Sequence, residues 1–266
     1  LINFIGDIDL AICNANNAIK MHYTKPQINL EAGKSFIKVD KLRHPIIERI
    51  LKNTQYISND IELGINDNDG LLIYGINAAG KSSLMKSIGL CVIMAQAGMY
   101  VPGENMIYNP YKSLYTRIGS QDNIFMNRSS FTQEMAELRH IFKTADKNSL
   151  IIGDEICSGT EECSAVSLVA ASLFLLSEKK STYIFATHLH KLIDISYIKD
   201  LYNLKICHLK ITNDNGLIIY NRKLEAGNGS QEYGLMVAGS LNLPEEFIKQ
   251  ATNIRNEVKN EINIFD

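Results

Sequence analysis

Residues 75 to 82 read Gly-Ile-Asn-Ala-Ala-Gly-Lys-Ser, the whole of the pattern G-x-x-x-x-G-K-[ST]. The apolar run Leu71-Leu72-Ile73-Tyr74 comes immediately before it, and a helical pattern from Ser83 to Gly98 comes after. A strand, a glycine-rich loop and a helix in that order predict a phosphate-binding loop. Gly75 and Gly80 permit a tight backbone path, so that successive N–H groups can face phosphate oxygens. The helix N-terminus adds positive potential at the same place. Lys81 is spaced to reach β- and γ-phosphates, and the Ser82 hydroxyl to hold Mg²⁺. The alternative is a loop of the same spelling that binds nothing, and the flanking strand and helix argue against it.

A second element supports the first. Ser149-Leu150-Ile151-Ile152-Gly153 is a short apolar run that ends in the adjacent carboxylates Asp154 and Glu155. Strands of a parallel sheet buried on both faces read as continuous apolar runs, and ligand chemistry gathers at their C-terminal ends. Asp154 is placed to support Mg²⁺ and Glu155 to polarise an attacking water. The bland reading is an acidic loop after a strand. A third run, Tyr183-Ile184-Phe185-Ala186-Thr187, ends at His188, which in this setting reads as a γ-phosphate sensor. Elsewhere a lone histidine is usually structural.

Composition limits the remaining choices. The chain has 266 residues, 45% of them hydrophobic and 21% charged, as expected of a globular protein with one large or two small domains. A net charge of −2 gives no global basic field that would draw in nucleic acid. The longest apolar stretches, near Leu90 to Ala97 and Ser167 to Leu176, are too short to span a bilayer, and no signal peptide is visible, so an intracellular, soluble protein is expected. Cys13, Cys91, Cys157, Cys163 and Cys207 form no C-x-x-C pair, which favours neutral thiols over a zinc site or a disulfide framework. The chain starts at Leu1 and reads as a fragment of a longer protein.

The remaining elements follow from periodicity. Ile2, Ile5, Ile8, Ile12, Ala15 and Ile19 mark a one-sided helix over residues 1–20. Residues 23–33 read as a linker, 35–39 as a strand, 99–110 as a loop, 113–118 as a strand and 119–128 as polar and irregular. Ser130 at N-cap and Gln133 at N3 fit a capping box that opens a helix to about Thr144. Val166, Val169, Leu173 and Leu176 line a helix over 162–177. Asn213-Asp214-Asn215-Gly216 between two β-like runs predicts a hairpin. Two helices close the chain, near 231–240 and 245–257, with Pro244 at the start of the second. The prediction is an α/β protein with a mixed, largely parallel sheet flanked by helices.

Taken in order, these landmarks resemble the C-terminal ATPase region of the MutS mismatch-repair family. Arg43-His44-Pro45, the Gly75–Ser83 loop, Arg117-Ile118-Gly119, Ser129-Ser130-Phe131 with Glu134-Met135, Asp154-Glu155 with Gly159-Thr160, Ala186-Thr187-His188, and Ser230 with Tyr233-Gly234 and Leu243-Pro244 carry the likeness over nearly the whole chain. The N-A-A-G-K-S-S-L spelling is most similar to MutS-like proteins of large DNA viruses and octocoral mitochondria. Departures include Ile76 in place of a usual proline and Cys157-Ser158-Gly159 in place of Gly-Arg-Gly.

The resemblance implies a P-loop NTPase of the ABC type with a C-terminal helix-turn-helix. Residues 1–34 would end a lever helix and linker, 35–229 form the ATPase domain, and 230–266 form a dimerisation element. It implies an ATP hydrolase using Mg²⁺, with a composite site at a homodimer interface, and DNA held by domains outside the chain. Gly75, Asn77, Ala78, Ala79, Gly80, Lys81, Ser82 and Ser83 would hold the phosphates. Ser82 and Asp154 would serve the metal, while Lys81, Glu155 and His188 would serve catalysis. Ser129 would act in trans. Tyr56 matches an aromatic that stacks on adenine, though its spacing alone suits a core aromatic. Arg222 lies near a second adenine-flanking position, with a solvated strand cation as the alternative. Two other readings compete: an ABC-type ATPase of another kind (a chromosome-structure or transporter subunit), and a scaffold with a vestigial site. The first lacks an L-S-G-G-Q signature, and the second has to explain intact Lys81, Asp154, Glu155 and His188.

Overall fold

A computed structural model describes residues 1–51, 54–76, 79–118, 130–214, 217–229, 233–241 and 243–262. Its elements run α1 (Ile2–Met21), β1 (Gln27–Ile28), β2 (Phe36–Leu42), α2 (Ile47–Ile50), β3 (Asn59–Leu63), β4 (Gly70–Tyr74), α3 (Lys81–Gln96), β5 (Glu104–Asn109) and β6 (Ser113–Arg117). They continue with α4 (Ser130–Thr144), β7 (Ser149–Asp154), α5 (Glu162–Glu178), β8 (Thr182–Thr187), a 3-10 turn (His190–Asp194), α6 (Ser196–Lys199), β9 (Leu204–Asp214), β10 (Leu217–Ala226), α7 (Tyr233–Ser240) and α8 (Glu245–Ile262).

The larger sheet has the order β10-β9-β4-β8-β7-β6. Its five strands β9, β4, β8, β7 and β6 are all parallel, and β10 adds an antiparallel edge. The apolar runs become its centre because every residue of β4 and β8 is buried. Successive side chains then feed two different cores. Leu71, Ile73, Leu150, Ile152 and Ile184 pack with α3 and the smaller sheet, whereas Leu72, Tyr74, Ile151, Tyr183 and Phe185 pack with α4 and α5. Val166, Val169, Leu173 and Leu176 of α5 are buried, as their spacing predicts. β9 and β10 pair antiparallel, Leu217 with Asp214, and the predicted turn residues Asn215 and Gly216 lie outside the described residues. α7 and α8 pack against each other.

Several expectations change. Part of the segment read as a linker joins a four-stranded sheet of order β1-β5-β2-β3, where Gln27 and Ile28 pair with Ile107 and Tyr108. The stretch read as a loop over 99–110 contains β5. Pro102, Gly103 and Pro110 frame it and mask an alternation in which Met106 and Tyr108 point into the core. α4 starts at Ser130, one position earlier than an N-cap there predicts, and the Gln133 amide donates to Glu137 Oε1 at 3.1 Å. The α1 stripe faces outward, with Ile2, Ile5, Ile8, Ile12 and Ile19 all exposed. Polar contacts hold this helix: Asn14 Nδ2 donates to Gly98 O at 3.1 Å, and Tyr100 N–H donates to Asn14 Oδ1 at 2.8 Å.

Arg43-His44-Pro45 joins the helix to the body. Arg43 Nε pairs with Glu48 at 2.7 Å, and Tyr23 OH donates to the other Glu48 oxygen at 2.7 Å. His44 Nδ1 accepts the Ile46 and Ile47 N–H groups, and burial lowers its pKa. All five cysteines are free, and burial pushes the Cys91 and Cys157 thiols up to about 12. Among the described residues, no helix is long and apolar enough to cross a membrane.

Candidate functional site

The C-terminal ends of β4, β7 and β8 are neighbours because those strands are adjacent and parallel. The chemistry predicted from three separate stretches therefore meets at one place. Ile76, Gly80, Lys81, Ser82, Ser83, Asp154, Glu155 and Arg222 line one open pocket of about 390 Å³. Gly75 (φ 152°) and Gly80 (φ 109°) hold backbone angles that a side chain would strain, and they shape the turn from β4 into α3. Ala79 is buried against the core, which anchors that turn.

Lys81 is the first residue of α3, and its side chain is only 4% exposed. Its Nζ donates to Gly75 O at 2.5 Å and Ile76 O at 3.3 Å, and lies 3.6 Å from Glu155 Oε1. Burial lowers its pKa, and the Glu155 and Asp154 carboxylates pull it back up. Ser82 Oγ donates to Asp154 Oδ2 in a short hydrogen bond, so a hydroxyl and a carboxylate meet at the mouth of the loop.

Glu155 adopts a left-handed backbone (φ 49°), a conformation that costs a non-glycine residue about 1 kcal/mol or more. Its N–H donates to Ala186 O at 3.0 Å, which ties the turn to β8. There its carboxylate stands between Lys81 and His188, whose Nδ1 lies 4.0 Å away. His188 is 58% exposed and faces out of the sheet end.

Tyr56, in the segment that leads into β3, is half-buried. Burial raises its phenol pKa, while a hydrogen bond with the Ser87 side chain and the Arg222 guanidinium lower it. Arg222, which lines the pocket, is thus within electrostatic reach of Tyr56. Asn77, Ala78 and Ser129 lie outside the described residues, so the structure places none of these three.

Glu134 was not singled out as a site residue. Its carboxylate is buried, accepts the Cys157 N–H at 3.0 Å and lies 3.7 Å from Arg117 Nε. It ties the start of α4 and the end of β6 to the turn that carries Glu155. The only sequence signal was its place in the Ser129–Met135 run, because the partnership is long-range. Glu134→Ala strands a buried N–H and takes one of two acids from Arg117, which also pairs with Glu137 at 3.4 Å. An unfolding loss of about 2–3 kcal/mol is expected in urea titration. Glu134→Gln keeps an acceptor and should lose less; wild-type stability in the alanine variant would refute this role.

Comparison with known proteins agrees with the geometry. Residues 71–259 match the family model described as MutS domain V. A DNA mismatch repair protein mutS homolog of Acanthamoeba polyphaga mimivirus is 39% identical over 99% of this chain and 27% of its own length. A mitochondrial DNA mismatch repair protein mutS homolog of Sarcophyton glaucum is 36% identical over 96% of this chain and 26% of its own. The DNA mismatch repair protein MutS of Finegoldia magna is 36% identical over 97% of this chain and 30% of its own. The chain thus spans between a quarter and a third of these relatives. Both branches suggested by the loop spelling are represented among them. The match over most of the chain places it in the MutS family of DNA mismatch-repair proteins, with residues 71–259 as the domain V region.

Proposed function

We propose that this chain is the ATP-binding and ATP-hydrolysing region of a MutS-type mismatch-repair protein, an ABC-type P-loop module that works as a homodimer. The observation that carries this reading is the convergence of Lys81, Ser82, Asp154, Glu155 and His188 at the ends of three adjacent parallel strands.

Each residue then has a task. The Lys81 ammonium turns from the Gly75 and Ile76 carbonyls to the β- and γ-phosphates and offsets their charge. The loop N–H groups from Gly75 through Ser83, with Asn77, Ala78 and Ala79, cradle the phosphates. The touching Ser82 hydroxyl and Asp154 carboxylate are hard oxygen donors of the kind Mg²⁺ takes beside phosphate and water oxygens. Bound there, Mg²⁺ would neutralise charge that develops on the phosphoryl oxygens. Glu155 orients the attacking water, and His188 faces the γ-phosphate. Tyr56 and Arg222 flank the adenine.

The reading extends to the dimer. Ser129 would reach the partner's nucleotide, residues 35–229 would form the ATPase domain, and 230–266 a helix-turn-helix that dimerises. Domains outside this chain would hold mismatched or branched DNA, and ATP occupancy would bias their state.

The test is ATP turnover. The protein should release phosphate with Mg²⁺ and stop when EDTA removes it; turnover that ignores EDTA, or none with Mg²⁺ and ATP, would refute the reading. The dimer has its own test. Lys81→Ala and Ser129→Ala should each fail as homodimers. In mixed dimers both lesions fall on one site if Ser129 acts in trans, and the intact site restores turnover. No recovery in confirmed mixed dimers would remove Ser129 from the partner's site.

A further inference from the structure

The antiparallel edge of the larger sheet carries an irregularity that faces the pocket. Tyr220 pairs with Ile211 and Leu224 with Leu209, so Asn221, Arg222 and Lys223 arch opposite Lys210 alone. Arg222 sits at the crest with a left-handed backbone (φ 56°). Its side chain lines the pocket and reaches within 3.9 Å of where a Cβ on Gly80 would lie. A three-residue arch is a costly way to carry an arginine unless something fixes its shape.

Asn59 fixes it. It is the first residue of β3, in the other sheet, and is only 4% exposed. Its Nδ2 donates to Arg222 O at 3.0 Å, and its Oδ1 accepts the Leu224 N–H at 2.7 Å. One side-chain amide thus satisfies a carbonyl and an N–H within the arch, and only a planar donor–acceptor group of this length does both. Beside it, Lys223 Nζ donates to Ser58 O. Tyr56 lies three residues before Asn59 on the same segment and bonds Ser87 of α3. An aromatic ring and a guanidinium are the two side-chain surfaces that stack well on a flat heterocycle. Asn59 ties the arch that carries Arg222 to the segment that carries Tyr56.

We infer that Asn59 is the positioning residue for the base slot, setting the gap between Tyr56 and Arg222 into which a purine ring fits, apart from the phosphate loop. This rests on the ATP reading above.

Two ligands separate the slot from the loop: ATP and inorganic tripolyphosphate, each titrated with Mg²⁺. Asn59→Ala should raise the Kd for ATP roughly tenfold, the factor that about 1.4 kcal/mol produces. The tripolyphosphate Kd should stay within about twofold, because that ligand has no base to place. In turnover, KM for ATP should rise while kcat holds. Arg222→Ala changes only an exposed side chain, so folding is not at issue, and it should show the same split between the ligands. Equal loss for both ligands in Asn59→Ala, unchanged ATP affinity in either variant, or a fall confined to kcat would overturn the inference. A wild-type protein that binds tripolyphosphate but not ATP would also overturn it, whereas one that binds neither would refute the nucleotide reading itself.

Discussion

Lys81→Ala is expected to abolish ATP turnover, lowering kcat/KM by about a hundredfold or more, the scale for losing a charge aimed at a transition state in a desolvated site. The lysine side chain is almost fully buried, and its nitrogen is held by two loop carbonyls with Glu155 close by. Burying an ammonium there is unfavourable in itself, which is why its pKa is lowered despite two nearby carboxylates. Phosphate oxygens would supply stronger partners than carbonyls, so binding should release part of that cost. Alanine removes the charge without touching the glycine turn. Turnover and ATP affinity are measured together. If both stay at wild-type values, the loop does not hold a triphosphate through Lys81.

Glu155→Gln should give the second large effect and the opposite pattern. ATP affinity should persist while hydrolysis slows by about a hundredfold or more, within the range for losing a positioned base. The amide matches the carboxylate in shape, so the turn should survive; its backbone N–H still donates to Ala186 O. What disappears is an anion able to polarise water. ATP-bound dimer should therefore accumulate, visible as an ATP-dependent shift in size-exclusion chromatography. Wild-type turnover in this variant would move the role to another group, with His188 the nearest alternative at 4.0 Å. The two variants discriminate because one loses binding and chemistry together and the other loses chemistry alone.

Much of this site was legible before any coordinates. The phosphate loop, the paired carboxylates of Asp154 and Glu155, and His188 each sit at the end of a continuous apolar run, and such runs are the local signature of buried parallel strands. Helix α5 and the β9–β10 hairpin were legible for the same reason, because periodicity and turn chemistry are written in neighbouring residues. Where turn residues framed a strand closely, as at β5, the local signal pointed to a loop and pairing across the sheet prevailed.

Other features depend on residues far apart in sequence. The contact between Ser82 and Asp154 joins positions 72 residues apart, and the Asn59 grip on the Arg222 arch spans 163. Tyr56 suited a core aromatic by its spacing and is only half-buried in the fold. Glu134, which the sequence marks only as part of the Ser129–Met135 run, is set by the fold on the Cys157 N–H. The sequence alone determined which candidate residues stand at the ends of which strands, because backbone geometry couples local pattern to element type. The tertiary structure alone decided strand order, and with it which side chains share the pocket and which buried groups hold them in place, since hydrogen bonds across sheets depend on distances that no local pattern encodes.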